Sequence, residues 1–186
     1  MPTVFAGPGG GKRYGPTTDL RNMSPTADQH AHHSAETASV LTYRMGIQDA
    51  NVAGNVHGGW IMKLCDDVAA IAATRHAGGR VVTATVDEMK FRSPVHVGDV
   101  LTLRATVNAA WRTSMEVGVR VEAEQVASGE ITHTCSAYLT MVSLGADERP
   151  MPLPALTPAT PEDERRHREA NLRREVRLAK PGELRR

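Results

Sequence analysis

Two adjacent carboxylates, Asp66 and Asp67, close a stretch that opens at Asn51 and reads NVAGNVHGGWIMKLCDD. Between Asn51 and the acids stand His57 and three glycines, Gly54, Gly58 and Gly59. Glycines ahead of a helix often cradle phosphate on unhindered N–H groups. A dinucleotide fingerprint, however, needs G-x-G-x-x-G inside a parallel βαβ unit, and the spacing here does not supply it. A helix N-terminus carries roughly +0.5 of an elementary charge, and the negative oxygen it serves can equally be the oxyanion of an attacked carbonyl. The N–H groups of Gly58 and Gly59 are the candidates for that role. His57 could polarise the same carbonyl, although a loop role suits it better.

The acids sit on a segment with helical periodicity from about Gly58 to His76 and no internal proline. At ~100° per residue, Ile61, Leu64, Cys65, Val68 and Ala72 share one apolar face. Asp67 falls on the polar side, where an i,i+4 pair with Lys63 explains it. Asp66 lies at the rim of the apolar face, near Met62, Ala69 and Ala73. A carboxylate on that edge is a candidate base or nucleophile, or else a structural hydrogen-bonding aspartate; the residues alone leave both open.

The elements that hold this helix follow from the pattern around it. SVLTYRM, from Ser39, reads as a strand, and from Arg80 the periodicity changes to two. Leu101, Leu103, Ala105 and Val107 alternate with polar residues, and so do Met115, Val117, Val119, Val121 and Ala123. Ile131, His133, Cys135, Ala137, Leu139 and Met141 make a third such set. Short polar connections predict antiparallel hairpins or a meander. One long helix, one strand before it and four after it define an α+β domain, with the helix buried on the sheet. After Gly145 the proline-rich RPMPLP and LTPATP cannot continue a sheet. Thr160 then reads as an N-cap with Pro161 in the first helical position, acids in the first turn and Arg173, Arg174, Arg177 and Lys180 near the end. This charged terminal helix is expected to be solvated rather than to bind phosphate.

Residues 1–34 lack apolar periodicity and read as a disordered extension. Within them GPGGGKR fails as a P-loop, because its spacing is wrong and no strand precedes it. His30, His32 and His33 make a poor metal site on a flexible tract without further ligands at fixed spacing, so no metal is expected. A chain of 186 residues with formal charge +1 fits one domain and offers no field for nucleic acid or membrane. No apolar run approaches the ~20 residues that span a bilayer, and no secretory signal opens the chain. Cys65 and Cys135, the only cysteines, suit buried thiols in a cytoplasmic protein.

At this point the residues resemble a known family. NVAGNVHGGWIMKLCDD, then RHAGGRVVTATVDEMKFRSPVHVGD, RTSMEV and the tail LPALTPATPEDERRHREANLRR are similar to the hotdog-fold acyl-CoA thioester hydrolases, of the cytosolic type that includes small single-hotdog bacterial enzymes. The likeness covers roughly Ser39 to Lys180. It implies a single hotdog, a long central helix wrapped by an antiparallel sheet, at residues 35–148, followed by a proline-rich linker and charged helix at 149–186. It also implies Asn51 and Asp66 as the catalytic pair, each site taking its asparagine from one subunit and its acid from the partner. A homodimer with shared sites follows, with further assembly as a trimer of dimers.

Under that resemblance the substrate is an acyl-CoA, cleaved to fatty acid and coenzyme A, and no other cofactor is needed. The leaving thiol has a pKa near ~8.5, by analogy with cysteine, so little general-acid help is required. Asp66 would activate water or attack directly to give a mixed anhydride, Asn51 would orient water or thioester, and the glycine N–H groups would hold the oxyanion. The coenzyme's phosphates call for basic and hydroxyl donors, for which Arg92, Arg112, Thr113 and Ser114 are placed at strand ends and turns. A hotdog dehydratase or hydratase would need a catalytic His, and only His57 is at hand. A non-catalytic acyl-CoA-binding module is the other alternative, although no DNA-binding segment accompanies the domain.

Overall fold

The computed structural model describes residues 32–179. The glycine-rich GPGGGKR tract, His30 and most of the expected extension lie outside the described residues. His32–His33 (β1) and Ser34–Thr37 (α1) take regular structure. Then come β2 (Ser39–Arg44), α2 (Gly58–Ala77), β3 (Val81–Phe91), β4 (Val100–Ala110), β5 (Ser114–Gln125), β6 (Glu130–Ser143), β7 (Leu156–Thr157) and α3 (Pro161–Ala179).

One strand before the long helix and four after it form a five-stranded antiparallel sheet in the order β2-β4-β5-β6-β3. The expected meander holds for β4, β5 and β6. β3 departs from it: instead of pairing with β4 it lies beyond β6 and forms one edge of the sheet. The Pro-rich connection adds no strand to the five-stranded sheet, but its Leu156–Thr157 pairs in parallel with His32–His33 in a separate two-stranded sheet.

α2 lies across the inner face. Ile61, Leu64, Cys65, Val68 and Ala72 are buried as their spacing requires, and Ala69 and Ala73 join them. Leu101, Leu103, Ala105 and Val107 of β4 and Met115, Val117, Val119, Val121 and Ala123 of β5 close over this face. Both thiols are in this core. On β6 the alternation fails at its start. Ile131 is 64% exposed, because the β5–β6 register slips between Val121 and Glu122 and leaves Thr134 as an extra residue. A bulge of one residue moves every preceding side chain to the other face.

α3 is not the solvated helix its composition suggests. Thr160 caps it as expected: its Oγ1 accepts from the Asp163 N–H at 3.1 Å, while Asp163 Oδ2 accepts from the Thr160 N–H at 3.1 Å. Its opposite half docks on the outer face of the sheet. Arg173 grips the carboxylate of Glu116 through Nε at 3.0 Å and Nη2 at 2.7 Å and stacks 3.7 Å from the Tyr138 ring. Asn108 Nδ2 donates to the same carboxylate at 3.0 Å, and Trp111 Nε1 donates to Asn171 Oδ1 at 2.9 Å. Glu116, outward on β5, is completely buried by this cover. Among the described residues no helix is long and apolar enough to cross a membrane.

Candidate active site

The loop that carries Asn51 is organised by that residue. Asn51 Oδ1 accepts from the N–H groups of Ala53 at 2.9 Å and Asn55 at 3.2 Å, an Asx turn. Its backbone closes the same loop, N–H to Asn55 O at 2.7 Å and O from Gly54 N at 3.0 Å. Gly54 takes φ +83° there, a conformation that side chains resist. With its carbonyl oxygen spent on the loop, the Asn51 amide has only Nδ2–H to offer a ligand. It therefore suits an acceptor, whether the oxygen of a carbonyl or that of a water.

The helix start differs from expectation. His57 is the N-cap of α2, and its Nδ1 accepts from the Gly59 N–H at 2.9 Å. The Trp60 N–H turns to His57 O at 2.9 Å. Of the two glycine donors expected to be free, Gly59 is thus committed, and Gly58 keeps the N–H that has no intrahelical acceptor. A Cβ on Gly59 would stand 3.0 Å from His57 Nδ1, so this glycine makes room for the cap. His57 caps the helix start, and an imidazole that accepts at Nδ1 carries its proton on Nε2.

The two acids divide as the helical wheel requires. Asp67 is exposed and pairs with Lys63 at 2.5 Å. Asp66 is half-buried and accepts from Thr83 Oγ1 of β3 at 2.5 Å. Thr83 was not among the residues singled out by sequence. Its hydroxyl also lies 3.2 Å from Met141 Sδ, which places it on the inner face beside the core. Asp66 stands eight residues beyond Gly58, ~12 Å along the axis at 1.5 Å per residue. One thioester cannot touch both within a single chain.

The expected coenzyme contacts are likewise not brought together. Arg92 follows the end of β3 and lines a cleft of about 340 Å³ with Gly58, Ile61 and Phe91. Arg112, Thr113 and Ser114 form the β4–β5 turn at the opposite end, where Thr113 O accepts from the Ser143 N–H and Ser143 pairs with Val81. The length of β3, ~35 Å at 3.2–3.4 Å per residue, separates the two groups. No three metal-ligating side chains converge among the described residues. His32 instead packs edge-on against His76 with ring centroids 5.5 Å apart, and His33 Nδ1 lies 3.1 Å from Thr157 O.

Residues 53–130 match the family model described as the thioesterase superfamily. Mouse acyl-coenzyme A thioesterase 11 is 45% identical over 130 residues, 69% of this chain, but the chain spans only 22% of that longer protein. A hexameric acyl-CoA thioesterase solved without ligand superposes with a TM-score of 0.79 at 35% identity, covering 82% of this chain and 98% of that one. This chain belongs to the hotdog-fold acyl-CoA thioesterase family. The acyl-CoA hydrolase of Staphylococcus aureus, solved with butyryl-coenzyme A, coenzyme A and coenzyme A disulfide, is a further member of similar shape. It has a TM-score of 0.76 and 31% identity, and the match covers 81% of this chain and 92% of that one. That hydrolase has also been solved with single Asn, Asp and Thr residues changed to Ala. Those three positions follow one another at the separations of Asn51, Asp66 and Thr83.

Proposed function

We propose that the chain hydrolyses acyl-CoA thioesters at sites shared between two copies, each built from Asp66 of one subunit and the Asn51 loop of the other. The observation that carries this reading is the placement of Asp66: half-buried, fixed by Thr83, and ~12 Å along its own helix from the Gly58 end. An acid must come within hydrogen-bond reach of the groups it acts on, so the oxyanion donors come from elsewhere. β3 supports where they come from. It is an eleven-residue edge strand with Val86, at its middle, 40% exposed, and an open edge of that length invites pairing. Two copies joined antiparallel about a two-fold axis near Val86 bring the Thr83 end of one β3 toward the Phe91 end of the other. Asp66 then faces the Gly58 N–H and Asn51 Nδ2 of the partner subunit. The same pairing brings Arg92 of the partner subunit toward the Arg112–Ser114 turn, so the two groups of coenzyme-binding candidates meet at one site.

In that site the thioester carbonyl accepts from Gly58 N–H and Asn51 Nδ2–H, each donor to the forming oxyanion being worth on the order of 10²–10³ in rate. Asp66 takes a proton from water as it adds to the carbonyl, or adds itself to give an anhydride that water then opens. The C–S bond breaks, coenzyme A leaves as the thiolate, and the fatty acid departs. Residues 35–148 carry this chemistry. Assembly beyond the dimer, as three dimers, is supported by the hexameric relative, and a cytoplasmic location by two buried, unpaired cysteines.

Release of free thiol from a panel of acyl-CoA chain lengths tests the reading. Asp66→Asn and Asn51→Ala should each lower turnover by at least ~10², and Asp67→Asn should cost little, since Asp67 is an exposed partner of Lys63. Full activity in Asp66→Asn with loss in Asp67→Asn would reverse the assignment.

A further inference from the structure

β3 leaves a regular ladder twice. Against β6 its register slips between Thr83 and Thr85 and again between Val86 and Glu88, so Ala84 and Asp87 are extra residues. One extra residue inverts the faces of all that precede it, and a second restores them. Thr83 therefore points inward, opposite Met141, while both irregularities are kept, and the loss of either one alone would turn it outward. The far end of the strand is fixed independently: Glu88, Met89, Lys90 and Phe91 pair in step with Tyr138 to Cys135, and the Arg92 N–H donates to Thr134 O at 2.8 Å. If the Asp87 bulge alone relaxed, Thr83 would move by one position to lie opposite Val142. Its hydroxyl would then be on the outer face, away from Asp66.

A carboxylate in an edge strand is normally solvated, yet the Asp87 side chain is only 10% exposed. Thr140 Oγ1 donates to its Oδ2 at 2.6 Å, and Arg177 Nη1 donates to the same oxygen at 2.5 Å. Arg177 comes from α3, and the Arg173–Glu116 clamp one turn earlier seats that helix where the guanidinium can reach. A carboxylate buried to this degree is costly without its cation, so the pair holds the extra residue in one place.

We infer that Arg177 and Asp87 are positioning residues for the reaction: by pinning the second bulge of β3 they keep the Thr83 hydroxyl on Asp66. This rests on Asp66 being the reacting acid. The terminal helix thereby acts on catalysis without touching substrate.

The test is kcat and KM, on the full chain, for Thr83→Val, Arg177→Ala, Arg177→Lys and the Thr83→Val/Arg177→Ala double variant. Thr83→Val and Arg177→Ala should each lower kcat about tenfold, the size of one hydrogen bond to a charged group, with KM within about twofold. The double variant should be no slower than Thr83→Val, and Arg177→Lys should recover most of the loss. Multiplied losses in the double variant, an effect confined to KM, or wild-type kcat in Arg177→Ala would overturn the inference. If thermal melting shows Arg177→Ala to be unfolded, Asp87→Asn replaces it, because Asn keeps the shape and the Thr140 bond; the same non-additivity with Thr83→Val must hold. Wild-type kcat in both Asp66→Asn and Thr83→Val would instead remove the acid assignment itself, and the inference with it.

Discussion

Chains carrying Asp66→Asn and chains carrying Asn51→Ala should rescue one another, and the size of the rescue follows from the geometry. The Gly58 end of α2 and Asp66 lie ~12 Å apart on the same helix, and in the proposed arrangement a complete site draws its asparagine and its acid from different subunits. In a random one-to-one mixture about half of the two-fold dimers are mixed. Each mixed dimer has one site with both native residues and one site with neither. The mixture should therefore regain about a quarter of wild-type turnover per subunit, against parents at ~1% or less. Purified mixed dimers, isolated through two different tags, should regain about half. The reciprocal experiment carries the opposite sign. Wild-type chain mixed equally with the Asn51→Ala/Asp66→Asn double variant should fall to about a quarter of full activity, since every mixed dimer then has one damaged residue in each site. Sites within single chains would leave one half. Thiol release from a short acyl-CoA reads every sample. Mixed dimers with only parental activity, after subunit exchange has been shown by the tags, would refute the distance argument.

Two further outcomes concern stability. His76 is fully buried, its Nε2 lies 3.1 Å from Pro154 O, and burial pushes its pKa down to about 4. The unfolded chain takes up this proton near ~6.5, so stability should be level above that pH, fall below it, and by pH 4 have lost up to about 3 kcal/mol. Unfolding free energies from denaturant titrations at pH 7 and 4.5 should differ by about 2 kcal/mol less in His76→Leu, and an unchanged difference would count against the assignment. Glu116→Ala leaves Arg173 without its partner under α3 and should cost about 3–5 kcal/mol. The double variant Glu116→Ala/Arg173→Ala should lose less than the two single losses added, as measured by denaturation, and strict additivity would mean the clamp contributes nothing.

How far the sequence disclosed this fold depends on how local each signal was. The apolar stripe of α2 and the alternation of β4 and β5 are set within single elements, and both appear in the structure as read. Glu116 shows the limit. Its place in the polar set of β5 marked it as solvent-facing, and it does face outward, but a helix more than forty residues later covers it. The same cover turns α3 from a solvated helix into a docked one. Composition could not reveal this, because Arg173 reads alike whether it meets water or a buried carboxylate. On β6 the period-two pattern ran through Ile131 and His133, and the bulge at Thr134 broke it. No residue type there signals a bulge, since the extra position is held by register with β5.

The site divides along the same line. The glycines and acids stood out because their spacing along a single helix gives them away, and the resemblance singled out Asn51 and Asp66 among them. The cap on Gly59 was hidden by a rotamer: one imidazole nitrogen folding back on the helix start changes two free donors into one. Thr83 was hidden by register. Seventeen residues after Asp66, on an edge strand rich in Thr and Val, it had nothing to distinguish it from Thr85. The second bulge decides between them, and Asp87, the first charged residue after the uncharged run from Val81 to Val86, was the one visible sign of it. An unpaired acid at such a place asks for a cation, and the basic end of α3 supplies one. The charge pattern of the terminal helix is therefore better explained by what it grips on β3 than by solvation, and deleting Arg177 separates the two: a solvated arginine is dispensable, whereas one that sets the face of Thr83 is not.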